Sequence, residues 1–255
     1  MTVVYLWPTW LIIGVEIVVV IGLAVGGHII VRRLVPHRDL ARHNDVAGFL
    51  LAIVGVIYAV LLAFVVVITW EALNTAEDNA QNEVSAASDI YRLAKIYKDP
   101  QRAELRHELL NYAQLMKTDE WPAMQTGGES EAAHLSAERI TDLAVQMIDS
   151  DSVPRAAVDN AVVTLLHTFL DARRARLREN DEGIPVSLWA GLILGAILTM
   201  GFTYLFGVEN FRLQLVMTTL LAALIAVMFS MIVALDYPFR GSTSISSAIW
   251  TLDGR

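Results

Sequence analysis

Residues 47–98 form one run of helix-forming sequence, of which the first half suits the lipid bilayer and the second half suits water. Residues 47–69, AGFLLAIVGVIYAVLLAFVVVIT, contain no charged side chain, and about 20 apolar residues are enough to cross a bilayer core as a helix. An open, non-helical backbone would leave its polar groups unsatisfied in lipid. From Glu71 onward the sequence is polar, and neither Gly nor Pro occurs before Pro100. The sequence therefore predicts one helix that leaves the membrane and continues into water.

The polar half of this predicted helix carries an apolar seam. Its members recur at spacings of three and four, which is the pattern of one helical face: Leu73, Ala76, Ala80, Val84, Ala87, Tyr91 and Ala94. Most of them are alanine, so the partner of the seam must approach closely. That partner is either the remainder of the same polar domain or the same helix of another subunit.

Four uncharged or nearly uncharged blocks predict an all-α membrane protein. The hydrophobic content is 55%, above the 45–50% that is usual for soluble domains. We place four transmembrane helices at about 9–31, 47–69, 184–206 and 213–235. The predicted organisation is a first transmembrane pair in 1–70, a polar insert in 71–183, a second transmembrane pair in 184–241 and a polar tail in 242–255.

The insert is acidic and helical in pattern. Residues 71–183 hold 21 acidic and 12 basic residues, which gives a formal net charge of −9 and disfavours nucleic-acid binding. Turn-forming residues at 99–100, 121–128 and 151–154 divide it into four predicted helices at about 71–98, 101–119, 130–149 and 154–180. No strand-like alternation interrupts them.

Glu16 is the one acid well inside a predicted span. Intramembrane acids are costly and usually face a bundle interior, a partner or a water path. One interpretation is a protonated carboxyl that is hydrogen-bonded to a neighbouring helix, and the other is a functional residue that lines a path. Small residues in the same span and in the third, Gly22-x-x-x-Gly26 and Gly191-x-x-x-Gly195, predict close helix packing.

Charge and aromatic residues at the span ends bear on topology. Trp70 and Glu71 lie at the predicted membrane edge, where indoles are favoured, and Asp236 ends the fourth span beside Arg240, as an ion-pair partner or a cap. Residues 32–45, RRLVPHRDLARHND, predict a cytoplasmic loop by the positive-inside rule, with an anion-attracting vestibule as the alternative. This orientation would place residues 71–183 outside the cytoplasm.

Sites for enzymatic or metal chemistry are not indicated. The sequence has no cysteine, no HExxH, no Walker loop, no GxGxxG and no GxSxG, so the patterns of common metal, nucleotide and serine-nucleophile sites are missing. We therefore predict a protein that is not an enzyme and that needs no cofactor or metal.

Three segments resemble the bestrophin-like domain family of bacterial membrane proteins. They are residues 55–94, the HNDVAGF segment at 43–49, and the ending Asp236-Tyr237-Pro238-Phe239-x-Gly241. The resemblance implies a multi-pass protein of the bacterial inner membrane that self-associates. A more distant likeness to bestrophins, which are pentameric anion channels, implies ion transport and a cytoplasmic polar domain. That last implication is opposite to the orientation expected from residues 32–45.

Two functions follow as hypotheses. The first is an oligomeric channel, for which anions are the candidate ions. Its path is lined by an apolar face of the second span: Leu51, Gly55, Tyr58, Leu62, Val65 and Thr69. An apolar neck of this kind can gate by dewetting, although the same face also suits the most buried helix of a bundle. The second is a membrane-anchored sensor or scaffold whose acidic domain binds a partner. A secondary transporter would use Glu16, but the sequence lacks internal repeats and interrupted spans.

Overall fold

The computed structural model describes residues 9–36, 40–150, 156–241 and 243–252, and every regular element within these ranges is helical. The predicted all-α class is thereby confirmed for the described residues. The chain divides into two compact units. The membrane unit comprises Trp7–Glu71 and Ile184–Asp236, and the insert unit includes Ala72–Gly183 and Tyr237–Arg255. Residues 37–39 of the predicted cytoplasmic loop and the turn predicted at 151–154 lie outside the described residues.

Among the described residues, four helices are long and apolar enough to cross a membrane. They are α1 (Thr9–Leu34), α2 (Asn44–Leu93), α7 (Val186–Tyr204) and α8 (Phe211–Leu235). Helix α2 has 50 residues, so the unbroken helix that was predicted from the lack of Gly and Pro after Glu71 is observed. At about 1.5 Å per residue, it is long enough to cross a bilayer core and extend well beyond it.

Close packing in the membrane unit depends on specific glycines. A Cβ atom on Gly195 would overlap the ring of Tyr58, and a Cβ atom on Gly191 would lie 3.8 Å from Leu61 Cδ2. The small-residue pair of the third span therefore lets α7 approach α2, in line with the predicted close packing. Gly22 and Gly26 have open space in front of them instead, while Gly27 approaches Tyr204.

In its described residues the insert unit contains four further α-helices and a π-helical turn. These are α3 (Gln101–Leu115), the π-helix (Met116–Glu120), α4 (Trp121–Gln125), α5 (Glu131–Ser150) and α6 (Ala156–Asp181). The break predicted over 121–128 begins only at Thr126, because the chain continues from the π-helix directly into α4. Pro122 lies in the first turn of α4, where its missing N–H would have had no helical partner anyway.

The apolar seam of α2 lies in the core of the insert unit. Ala76, Ala80 and Ala87 are fully buried in it, so the seam packs within its own domain. The tail after the fourth span joins the same core. The ring of Trp250 is 5.3 Å from that of Tyr112, and the Trp121 indole donates to the Ile245 carbonyl at 2.8 Å.

Candidate functional site

The face of α2 that was predicted to line a path is buried in the membrane unit. Tyr58, Leu62 and Val65 belong to its core, and the buried Thr69 hydroxyl lies 3.0 Å from the Val65 carbonyl and 2.9 Å from that of Val66. Leu51 and Gly55, nearer the start of the helix, are partly exposed. Within one chain this face serves packing, and its role in lining a path stays a prediction.

The opposite side of α2 carries an exposed stripe that continues along almost the whole helix. Its members recur at spacings of three and four, which keeps them on one face. The apolar part is Val46, Leu50, Ile53, Ile57, Val60, Phe64 and Val67, each at least 41% exposed. The polar part continues at the same spacing with Glu71, Asn74, Asp78, Gln81 and Ser85, all exposed. We call the two parts together the exposed stripe.

The residues predicted at the membrane edge have different surroundings. Trp70 is 52% exposed, as expected for an interfacial indole, and Glu71 is exposed beside it. Asp236 is buried, and its Oδ1 accepts a hydrogen bond from the backbone N–H of Ile184 at 2.6 Å. Asp236 thus satisfies a backbone donor two residues before α7, and its role as an ion-pair partner or a cap stays a prediction.

Glu16 is hydrogen-bonded to the fourth span. Its Oε2 lies 3.2 Å from the hydroxyl of Ser230 on α8, whereas the sequence favoured the second span or a water-filled path as its surroundings. Ser230 is buried, and its hydroxyl also lies 2.9 Å from the Ala226 carbonyl. The carboxyl itself is partly exposed on α1.

A buried ionic cluster of Glu83, Glu120, Arg173 and Arg176 lies inside the insert unit. Arg176 Nε donates to Glu83 Oε2 at 2.6 Å, and both of its terminal nitrogens lie 3.2 Å from Glu120 Oε1. Arg173 contributes a second cation at 3.9 Å from the same Glu120 oxygen. Two carboxylates and two guanidinium groups balance formally, which is how charges are tolerated in an interior.

Neutral donors complete the cluster. The Tyr112 hydroxyl donates to Glu83 at 2.5 Å, and the Ser130 backbone N–H donates to Glu120 at 2.7 Å. Burial, together with the negative charge of Glu83, raises the pKa of Tyr112 well above its usual range. Burial alone would lower the pKa of Arg176, but Glu83, Tyr112 and Glu120 outweigh it and raise that pKa. The cluster therefore favours the charged form of Arg176.

One signal of this cluster was present in the sequence. Glu83 follows Ala76 and Ala80 at helical spacing, so an acid occupies a position on the buried seam. Arg176 gave no signal, because a cation in the last turns of a helix is common and suits the helix dipole. Glu120 gave no signal, because its inward position depends on the π-helix that it ends.

An open polar groove lies between α2 and α6 on the insert unit. Its volume is about 840 Å³, and its lining includes Asn79, Asn82, Thr168, Arg174 and Arg178. Glu179 lies at its margin, where its Oε1 accepts a hydrogen bond from the Asn79 amide at 2.7 Å. The groove can accept a polar partner, but it holds no arrangement of groups suited to catalysis.

Comparison with known proteins gives one family and one fold. A family model of the bestrophin-like domain matches residues 18–249. Solved structures of two single-residue variants of a bacterial bestrophin homologue from Klebsiella pneumoniae are similar, each with a TM-score of 0.70 over 92% of this chain and 95% of theirs, at 10% and 12% identity. A variant of a membrane protein has a TM-score of 0.69 at 11% identity, over 92% of this chain and 94% of its own. Comparison with curated proteins finds no match.

Proposed function

Because the chain belongs to the bestrophin-like family, we propose that it assembles into an oligomeric channel of the bacterial inner membrane. The observation that carries this proposal is the exposed stripe of α2, which follows one helix from an apolar segment into a polar one. Copies of α2 around a common axis would turn this stripe toward a shared path. The bestrophin-type fold supports the proposal at the level of architecture.

The apolar part of the stripe supplies the neck in this proposal. Ile57, Val60 and Phe64 are bulky and 66%, 49% and 64% exposed in one chain. A ring of such side chains forms a constriction that excludes water when it is narrow, which is a known mode of gating. The alternative neck is the sequence-predicted face around Tyr58, Leu62 and Val65. Burial within the chain favours the exposed stripe as the wall and the sequence-predicted face as packing.

Two classes of ion have support. The bestrophin resemblance implies anions, whereas the polar part of the stripe places Glu71 and Asp78 on the proposed wall. Rings of carboxylates are typical of cation paths, so the local charge opposes anions. The sign of the reversal potential under a salt gradient separates the two, and Asp78→Asn tests the ring. If Asp78 lines the path, Asp78→Asn is expected to lower the selectivity of the channel for cations.

The second candidate function is a membrane-anchored sensor or scaffold. The polar groove between α2 and α6 favours it, because Arg174 and Arg178 line an open surface on an otherwise acidic domain. In this function the exposed stripe faces only lipid and water, and no ion flux occurs. Flux measurements on the reconstituted protein therefore decide between the two functions.

The decisive experiment combines flux with cysteine accessibility in liposomes. The sequence has no cysteine, so Val60→Cys and Leu62→Cys each supply a single thiol on opposite faces of α2. We expect wild-type flux, a block of Val60→Cys by a small methanethiosulfonate cation, and no block of Leu62→Cys. A block of Leu62→Cys alone supports the sequence-predicted face. Absence of flux from well-folded protein refutes the channel and favours the sensor or scaffold.

A further inference from the structure

The contact between Glu16 and Ser230 joins an acid on α1 to a buried hydroxyl on α8. Ser230 Oγ lies 3.2 Å from Glu16 Oε2 and 2.9 Å from the Ala226 carbonyl. A hydroxyl has a single proton to donate but can also accept. A protonated carboxyl can donate to Ser230 Oγ while the Ser230 hydroxyl donates to the Ala226 carbonyl, so one state satisfies both contacts. An ionised carboxylate can only accept, so the Ser230 hydroxyl must then turn toward it or be shared between the two acceptors.

The helices packed around Glu16 offer it no counter-charge nearby. Helix α1 packs against α7 and α8. Helix α7 carries one titratable residue, Tyr204, and α8 carries one charged residue, Arg212. The remaining titratable or charged residues in the described parts of the membrane unit are His28, Arg32, Arg33, Arg42, His43, Asp45, Tyr58, Glu71, Glu209 and Asp236. His28, the first of them on α1, lies about three turns beyond Glu16. The cations of α1, Arg32 and Arg33, lie about four turns from Glu16, too far along the helix to offset the desolvation of a carboxylate at this depth.

We propose that Glu16 and Ser230 form a proton-binding site inside the membrane unit. When the carboxyl is protonated, its O–H donates to Ser230 Oγ and the Ser230 hydroxyl donates to the Ala226 carbonyl, so that every polar hydrogen has an acceptor. When the proton leaves to water, the carboxyl gains one negative charge and the Ser230 hydroxyl turns to it. The ligand is the proton, and the site does not depend on whether the chain conducts ions.

The proposed site has a chemical signature that an inaccessible or permanently ionised acid would lack, and its dependence on Ser230 distinguishes it from a carboxyl that faces only lipid. A membrane-soluble carbodiimide adds the carboxylic O–H across its C=N bond to form an O-acylisourea, and the acyl group then migrates to nitrogen without loss of atoms. The reaction requires the protonated acid. Partial exposure of Glu16 on α1 allows a reagent that is dissolved in lipid to reach it.

The test uses the full chain in liposomes, treated with dicyclohexylcarbodiimide between about pH 5 and about pH 10, which brackets the shifted pKa values of buried carboxyls. Mass spectrometry is expected to find the adduct on Glu16 at low pH, with a yield that falls through one midpoint as pH rises. Glu16→Gln removes the adduct. Ser230→Ala moves the midpoint, whereas Ser230→Thr, which retains the hydroxyl, keeps it.

A matched control is Thr203→Val on α7, because the Thr203 hydroxyl lies 2.6 Å from the Met200 carbonyl in the same back-bonded manner as Ser230. This variant leaves the midpoint unchanged. Three outcomes overturn the proposal: no Glu16 adduct at any pH in folded protein, a yield independent of pH, or an identical midpoint in wild type and in folded Ser230→Ala. If Ser230→Ala does not fold, a shifted midpoint in Ser230→Thr overturns it instead.

Discussion

Replacing Arg176 with Met removes the cation at the centre of the buried ionic cluster. Glu83, Glu120 and Arg176 are all 0% exposed, so water cannot solvate the two carboxylates once the guanidinium group is gone. Breaking a buried ion pair by removing one partner costs about 3–5 kcal/mol. Methionine has a similar length and no charge, so the cavity contribution stays small. We expect Arg176→Met to lower the free energy of unfolding by about 3–5 kcal/mol.

The assay is denaturant unfolding of the full chain in detergent micelles, followed by the fluorescence of the buried Trp121 and Trp250. Arg174→Met is the matched control, because Arg174 belongs to an exposed ion pair on the same helix, and such pairs contribute about 0–1 kcal/mol. Adding Glu83→Gln to Arg176→Met is expected to restore part of the loss, since it removes one uncompensated charge. A loss below about 1 kcal/mol for Arg176→Met would refute the reasoning.

Three further predictions address topology, packing and pH. In intact cells an impermeant maleimide should label Thr126→Cys if residues 71–183 lie outside the cytoplasm, and labelling of Ala41→Cys instead would establish the orientation that the bestrophin resemblance implies. Gly195→Val should lower the stability of the full chain in micelles by about 1–3 kcal/mol through overpacking. Gly201→Ala, which has open space in front of it, should leave the stability nearly unchanged. Equal losses of stability in the two variants would contradict the close packing of Gly195 on Tyr58. Burial raises the pKa of Glu179 above its ordinary value of 4.5, an effect partly offset by an amide hydrogen bond. The folded state therefore binds this proton more tightly than the unfolded state, and stability falls as pH rises from about 4.5 through the raised pKa. Glu179→Gln should flatten that part of the unfolding profile, and an unchanged profile would argue against the shift.

The apolar helices were predictable because a membrane leaves few choices for the backbone. Residues 47–69 carry no charge, and the absence of Gly and Pro beyond Glu71 was enough to predict one continuous α2. Helix ends were less predictable. Pro122 looked like a terminator, yet proline is also compatible with a first helical turn, and only the preceding π-helix distinguishes the two cases.

The faces of α2 were not predictable from its sequence alone. Inside a membrane both faces are apolar, so hydropathy does not say which side packs against the chain's own helices and which side is left open. Tyr58 was assigned to a path-lining face by its helical spacing, whereas its ring packs against Gly195. The buried ionic cluster was not predicted for a different reason. Glu83, Glu120 and Arg176 are distant in sequence and meet only through the tertiary fold.

The position of Trp250 has a consequence for how the protein is made. This side chain is 1% exposed and packs against Tyr112 in the core of the insert unit, yet it follows all four apolar helices in sequence. The ribosome must therefore translate both later spans before the domain that precedes them can complete its interior. Until Trp250 has been translated, the space for its indole in the core of the insert unit is unfilled. Chaperones or proteases can act on the insert unit during that time.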